Sequence, residues 1–152
     1  MIYADTSFLF AIYQPTDVFH GKAFKLTTQL QQPMALTLLG ELELLNNVYR
    51  GLAAKVIDRQ VHDNILRQIS EDEADAILVR KMVGEIDLYG RAGELARRFV
   101  PEIPLRALDI LHVAAAQLLR VSHFVSFDER QLHLAHRVGL NVLPRVGGGK
   151  LN

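Results

Sequence analysis

Four acidic side chains occupy positions that are unusual for surface residues. Asp5 lies between an apolar segment, Ile2–Ala4, and a second apolar segment at residues 8–13. Asp128 follows the apolar sequence FVSF, and Asp109 has apolar neighbours on both sides. An ionised carboxylate in apolar surroundings costs free energy unless it is paired or bound to a metal. These three acids are therefore candidates for a functional site.

Glu41 is the fourth candidate, on the helix predicted at residues 38–52. At about 100° per residue, Glu41 falls within the apolar stripe of this helix and Glu43 falls on the far side. The stripe is formed by Leu38, Leu45, Val48, Tyr49 and Leu52. It contains no Lys or Arg. The spacing thus predicts that Glu41 faces the core or a cleft and that Glu43 is an ordinary exposed acid.

Converging carboxylates repel one another unless a cation lies among them. The chain has no Cys, and oxygen ligands alone favour Mg²⁺ or Mn²⁺. Metal ions held by carboxylates catalyse the hydrolysis of phosphodiester bonds. Each acid also has a structural explanation: Asp5 and Asp128 could cap helices, and Asp109 could interact with a helix dipole.

The elements that position these acids alternate between short strands and helices. This order predicts an α/β fold with a parallel sheet of about four or five short strands and helices on both faces. Strands are predicted at residues 2–4, 34–37, 123–127 and 141–143. Helices are predicted at residues 8–13, 20–30, 38–52, 107–119 and 129–138, the last ending at Gly139.

Residues 56–99 are predicted to form two or three further helices. Ser70 and Glu73 have the spacing of a capping box, which predicts that one of these helices begins at Ser70. Ligands bind at the carboxyl ends of the strands in parallel sheets. Asp5 and Asp128 both follow predicted strands, so we expect them at this edge.

The composition indicates one globular domain, predicted at residues 1–146 with a flexible tail at 147–152. The 152 residues are 49% hydrophobic and 22% charged. We expect no signal peptide and no membrane span, and therefore a cytoplasmic protein. The 17 basic and 17 acidic residues argue against a surface that is basic all over. Setting the four candidate acids aside leaves 17 basic against 13 acidic side chains, which predicts a basic rim around an acidic centre.

Three segments resemble the motifs of PIN domains in their order and spacing. MIYADTSFLFAI resembles the first strand and its acid, LTLLGELELL the second motif, and LDILHVAAAQLLRVSHFVSFDERQL the C-terminal half. The resemblance is closest to the VapC-type ribonucleases, the toxins of type II toxin–antitoxin pairs. It implies a single PIN-like domain that acts as a metal-dependent endoribonuclease.

The resemblance also implies roles for particular residues and partners. Asp5, Glu41, Asp109 and Asp128 would hold Mg²⁺ or Mn²⁺, and Ser126 would assist through a water or a hydrogen bond to Asp5. Thr6, next to Asp5, is a further candidate. The implied partners are an RNA substrate, a protein antitoxin and a second copy of the chain in a homodimer. Residues 56–99 match no motif of the family, so the RNA target is not predicted.

Other functions stay open at this point. The chain could be a housekeeping RNA-processing PIN nuclease or a non-catalytic PIN-like binding module. An aspartyl phosphatase is disfavoured because Ser7 stands where those enzymes usually carry a second Asp.

Some polar residues have competing explanations. We favour packing for His112 over a hydrogen bond to Asp109, and a surface pair for His133 and His136 over a metal site. Arg106 could contact a phosphate or simply be exposed.

Overall fold

The computed structural model, which describes residues 1–145, contains a five-stranded parallel sheet with the strand order β3-β2-β1-β4-β5. The strands are β1 (Ile2–Ala4), β2 (Met34–Leu36), β3 (Leu78–Arg80), β4 (Phe124–Val125) and β5 (Val142–Leu143). The central strand β1 pairs with β2 on one side and with β4 on the other. The predicted tail at 147–152 lies outside the described residues.

Helices connect the strands and cover both faces of the sheet, which confirms the predicted α/β fold. They are α1 (Thr6–Tyr13), α2 (His20–Leu30), α3 (Leu38–Ala53), α4 (Arg59–Ala74), α5 (Glu85–Phe99), α6 (Ala107–Leu118) and α7 (Glu129–Arg137). Within residues 1–145, none of the helices has the length and apolar character needed to span a membrane.

Alternating side chains of the central strands divide the interior into two cores. Ile2, Ala4 and Val125 pack on one face with residues of α1 to α4. Tyr3 and Phe124 pack on the opposite face with residues of α5 to α7, and their rings are stacked with centroids 5.7 Å apart. Because strands β1 and β4 are apolar on both faces, polar chemistry at these strands is confined to their ends.

The middle of the chain differs from the prediction in two ways. Residues 78–80 form an edge strand rather than part of a helix, and only Leu78 in it is fully buried. The prediction that a helix begins at Ser70 is wrong, because Ser70 lies inside α4. That helix begins after Asp58, whose side chain accepts a hydrogen bond from Val61 N–H at 2.8 Å. No helix breaker separates residues 59–69 from Ser70, so the helix continues through the apparent capping box.

Two isoleucines at opposite extremes of burial test this packing. Ile65 on α4 is 1% exposed and Ile86 on α5 is 89% exposed. We expect Ile65→Ala to lower the free energy of unfolding by about 2–5 kcal/mol, because it leaves a cavity in the core. Ile86→Ala should change it by no more than about 0.5 kcal/mol. Urea denaturation measures both, and equal losses would contradict the assigned packing of α4.

Candidate acidic site at the carboxyl edge of the sheet

Asp5 is the buried carboxylate at the end of the central strand. Its backbone N–H donates to the carbonyl of Val125, which continues the pairing of β1 with β4. Its carboxylate accepts from Ser7 Oγ (2.7 and 2.9 Å), Ser126 Oγ (2.7 Å) and the backbone N–H of Phe8 (3.0 Å). Asp5 therefore caps α1 and also lies at the predicted edge of the sheet, so the two explanations of this residue are compatible.

The environment of Asp5 is unfavourable for a lone negative charge. The side chain is 1% exposed, and burial raises the pKa of its carboxyl above the ordinary value. His112 and the hydrogen bonds from Phe8, Ser126 and Ser7 oppose this rise without cancelling it. In the described part of the chain, all hydrogen-bond donors to this carboxylate are uncharged. A cation at this position would stabilise the ionised form.

Ser126 joins Asp5 to the turn that carries Asp128. Its hydroxyl donates to Asp5 and accepts from the backbone N–H of Asp128 at 2.9 Å. Ser7 Oγ in turn accepts from the backbone N–H of Phe127 at 2.9 Å. The start of α1 and the turn after β4 are thus locked together. The hydrogen bond between Ser126 and Asp5 that the resemblance implied is present.

Asp128 caps the start of α7. Its carboxylate accepts from the backbone N–H groups of Arg130 (2.8 Å) and Gln131 (3.3 Å), and Arg130 Nη2 donates to Oδ2 at 3.1 Å. Burial alone would raise the pKa of Asp128. The hydrogen bonds from Arg130 and Gln131 outweigh burial, so this pKa lies below its ordinary value.

Asp109 is buried in the first turn of α6. Its Oδ2 accepts from the backbone N–H of Arg106 at 2.8 Å, and its Oδ1 accepts from Gln131 Nε2 at 3.2 Å. Gln131 also donates its backbone N–H to Asp128, so it connects these two acids. The residue Arg106 contacts the site through its backbone.

Glu43 is the carboxylate that the sequence interpretation missed. Thr6 Oγ1 donates to Glu43 Oε2 at 2.8 Å, and His112 Nε2 bonds to the same oxygen. The other ring nitrogen of His112 lies 2.8 Å from the Tyr3 hydroxyl, which lies 3.2 Å from Thr37 Oγ1. The hydrogen bond from His112 is the main reason why the pKa of Glu43 is lowered.

The prediction that Glu43 is an ordinary exposed acid is therefore wrong. Helix α3 buries Gly40, Leu44 and Val48, a stripe rotated by roughly a quarter turn from the predicted one. Gly40, the smallest residue of this stripe, lies on the buried side of the helix. A Cβ at this position would lie 3.6 Å from Thr37 Oγ1. This rotation turns Glu43 toward Thr6 and His112, which a count of apolar residues alone does not reveal.

Glu41 has a different environment. Arg80, at the end of the edge strand β3, forms a two-pronged ion pair with its carboxylate, with Nη2 2.7 Å from Oε1. Arg80 also pairs with Glu73 at 2.8 Å. Within residues 1–145, Glu41 shares no hydrogen-bond partner with Asp5, Asp109 or Asp128. The assignment of Glu41 to the acidic site stays a prediction.

His112 combines two roles that the sequence left as alternatives. It is 1% exposed and packs edge-on against Tyr3, with ring centroids 5.8 Å apart. It also makes a polar contact within the site, with Glu43 rather than with Asp109. Thr6, the further candidate beside Asp5, holds the same carboxylate. His112 and Thr6 together orient Glu43.

The donor set fits a hard divalent cation. Asp5, Asp109, Asp128 and Glu43 offer only oxygen atoms, and Mg²⁺ and Mn²⁺ prefer such ligands. The buried Asp5 carboxylate, held by neutral donors alone, has a charge that such a cation would balance. As placed in residues 1–145, the His, Asp and Glu side chains form no group of three or more able to hold a metal. Metal binding would therefore require the carboxylates to move closer together.

Comparison with known proteins identifies the family. The PIN domain profile matches residues 2–137, and the chain belongs to the PIN domain family. No curated protein sequence is significantly similar to it.

Solved structures that share this fold cover nearly the whole chain. VapC20 of Mycobacterium tuberculosis, described as a sarcin–ricin loop cleaving toxin, is 18% identical with a TM-score of 0.68 over 92% of this chain and 96% of its own. VapBC2 of Rickettsia felis, bound to a DNA fragment from its promoter, is 15% identical with a TM-score of 0.61 over 93% and 97%. FitAcB of Neisseria gonorrhoeae is 15% identical with a TM-score of 0.58 over 93% and 96%.

The raised pKa of Asp5 predicts a stability that depends on pH. The ionised carboxylate is disfavoured in the folded state, so wild-type stability decreases as the pH rises through the raised pKa. In the presence of EDTA, we expect Asp5→Asn to be more stable than wild type at pH 7.5. This advantage should shrink as the pH is lowered toward 3.8, the ordinary value for Asp.

Thermal denaturation between pH 4 and 8 measures this difference. Asp75→Asn is the matched control, because Asp75 is an exposed aspartate at the end of α4. A stability gain from Asp5→Asn that is the same at every pH would contradict the account of Asp5.

Proposed function

We propose that this protein is a divalent-metal-dependent endoribonuclease and the toxin of a toxin–antitoxin pair. The carrying observation is the buried Asp5 carboxylate at the end of β1, linked to Asp128 through Ser126. Membership of the PIN domain family supports a nuclease. The toxin assignment draws on the similarity in fold to VapC20, which is described as a sarcin–ricin loop cleaving toxin.

Each acidic residue has a role in this proposal. Asp5, Asp109 and Asp128 hold Mg²⁺ or Mn²⁺, and Glu43 is the fourth carboxylate; Glu41 is the alternative for that position. A bound ion of this kind activates water at neutral pH and stabilises the leaving oxygen of a phosphodiester. Four carboxylates would otherwise repel one another and the RNA backbone.

The surrounding polar side chains orient these acids. Ser7 and Ser126 fix both oxygens of Asp5, and Gln131 fixes Asp109 relative to Asp128. Preorganised ligands of this type lose little entropy when the cation and the substrate bind. Ser126 is therefore a positioning residue in this proposal.

The proposed partners are a protein antitoxin, an RNA substrate and a second copy of the chain. The similarity in fold to VapC20, described as a toxin, and to VapBC2 and FitAcB supports a protein antitoxin as partner. A homodimer and a cytoplasmic RNA substrate complete the proposal.

The first test removes individual carboxylates. Asp5→Asn and Asp109→Asn should each reduce RNA cleavage to background and weaken Mn²⁺ binding measured by calorimetry by about 10-fold or more, because each removes an anionic ligand. Asp75→Asn, on the exposed end of α4, should retain both properties. Full cleavage by either site variant would contradict the metal site, and a wild type that binds neither Mn²⁺ nor RNA would indicate a binding module of another kind.

A second test compares the two glutamates of α3. They have nearly equal side-chain exposure, 27% for Glu41 and 26% for Glu43, so Glu41→Gln and Glu43→Gln are matched variants. We expect Glu43→Gln to weaken Mn²⁺ binding by about 10-fold or more and Glu41→Gln to leave it nearly unchanged. The reverse result would make Glu41 the ligand, as the apolar stripe predicts.

The toxin assignment is tested in cells. Expression of the wild type should arrest growth, Asp5→Asn should not, and coexpression of the protein encoded beside it should relieve the arrest. Cleavage of RNA in vitro without growth arrest would instead favour a housekeeping RNA-processing nuclease.

A further inference from the structure

Arg130 contacts the candidate acidic site through its guanidinium group. Its Nη2 lies 3.1 Å from Asp128 Oδ2, and its Nε lies 3.5 Å from Oδ1. Within residues 1–145, no other Lys or Arg side chain forms a hydrogen bond or an ion pair with Asp5, Asp109, Asp128 or Glu43. Arg130 therefore supplies a positive charge at the place where the proposed function puts a divalent cation.

Both oxygens of Asp128 are engaged in this arrangement. Oδ1 accepts from the backbone N–H groups of Arg130 and Gln131, and Oδ2 accepts from Arg130 Nη2. The backbone donors belong to the first turn of α7 and cannot leave without unwinding it. The guanidinium is the exchangeable donor, because its side chain is 35% exposed and can rotate into solvent.

A second acid also acts on this guanidinium. The pKa of Arg130 is raised, chiefly by its hydrogen bond to Asp128 and to a smaller extent by the negative charge of Asp109. Asp109 and Asp128 are held together by Gln131, which donates to both. Arg130 thus lies in the field of two carboxylates that would otherwise repel each other.

We propose that Arg130 is an internal counter-ion that occupies Asp128 when the metal is absent and competes with the divalent cation for it. This inference rests on the proposed function, since it requires the acidic site to bind metal. This competition lowers the observed affinity for the metal, because the metal must displace the guanidinium from Oδ2 when it binds. Removing the guanidinium should therefore strengthen metal binding.

Arg130→Gln tests the competition, with Arg137→Gln as the matched control. Arg137 lies at the other end of α7 and pairs with Glu102, so its loss changes the net charge equally without touching the site. In calorimetric titrations with Mn²⁺ at 0.15 M salt, Arg130→Gln should bind about 5-fold more tightly than wild type. Arg137→Gln should match wild type, because exposed charges beyond a Debye length are screened.

The role of Asp128 is tested by a double variant. In an Asp128→Asn background, Arg130→Gln should no longer change the affinity for Mn²⁺, because the contested carboxylate is gone. A gain that persists in this background would mean that Arg130 acts through general charge and would overturn the proposal.

The remaining outcomes separate this inference from the proposed function. Wild-type binding of Mn²⁺ with unchanged or weaker binding by Arg130→Gln would overturn the inference and leave the metal site standing. Absence of Mn²⁺ binding by both the wild type and Arg130→Gln would overturn the proposed function and this inference with it. Melting temperatures measured in EDTA show that each variant is folded before titration.

Discussion

The architecture at the carboxyl edge depends on burying the charge of Asp5 without a cationic side chain bonded to it. The carboxylate at the end of the central strand is 1% exposed, and the capping geometry of α1 holds it there. Three neutral groups, Ser7, Ser126 and the Phe8 amide, satisfy its oxygens. Hydrogen bonds to neutral donors offset only part of the cost of desolvating an ionised group. A cation bound at this position would therefore stabilise the ionised Asp5 carboxylate.

The surrounding structure follows from the need to hold this carboxylate in place. Ser7 and Ser126 tie α1 to the turn after β4, and the same turn starts α7 with Asp128 as its cap. Gln131, one turn further along, reaches Asp109 on α6. Three helices and two strands thus converge on one edge through polar contacts, while their apolar faces pack into separate cores. The apolar contacts are thus confined to the two cores, and the polar groups that can exchange hydrogen-bond partners are confined to the carboxyl edge of the sheet.

The sequence predicted the elements that carry strong local signals. Apolar strands that end in Asp, and helices that begin there, placed Asp5 and Asp128 at the ends of β1 and β4. The edge strand β3 was missed because the apolar run at residues 76–79 is only four residues long, and periodicity alone cannot distinguish such a run from part of a buried helix. Glu43 was missed because its partners Thr6 and His112 lie on other helices, and the buried stripe of α3 is not the one with the most large apolar side chains. Tertiary contacts of this kind have no periodic signature in the chain.

The location of a bound ion tests the central claim most directly. Crystals soaked in MnCl₂ and measured at a wavelength with anomalous scattering from manganese would show its position without reference to activity. We expect a peak about 2.1 Å from an Asp5 oxygen, with Asp128 among the other ligands and the Arg130 guanidinium withdrawn from Asp128. A map with no peak at the end of β1, or a peak bound only by Glu41 and Glu73 near Arg80, would contradict this claim.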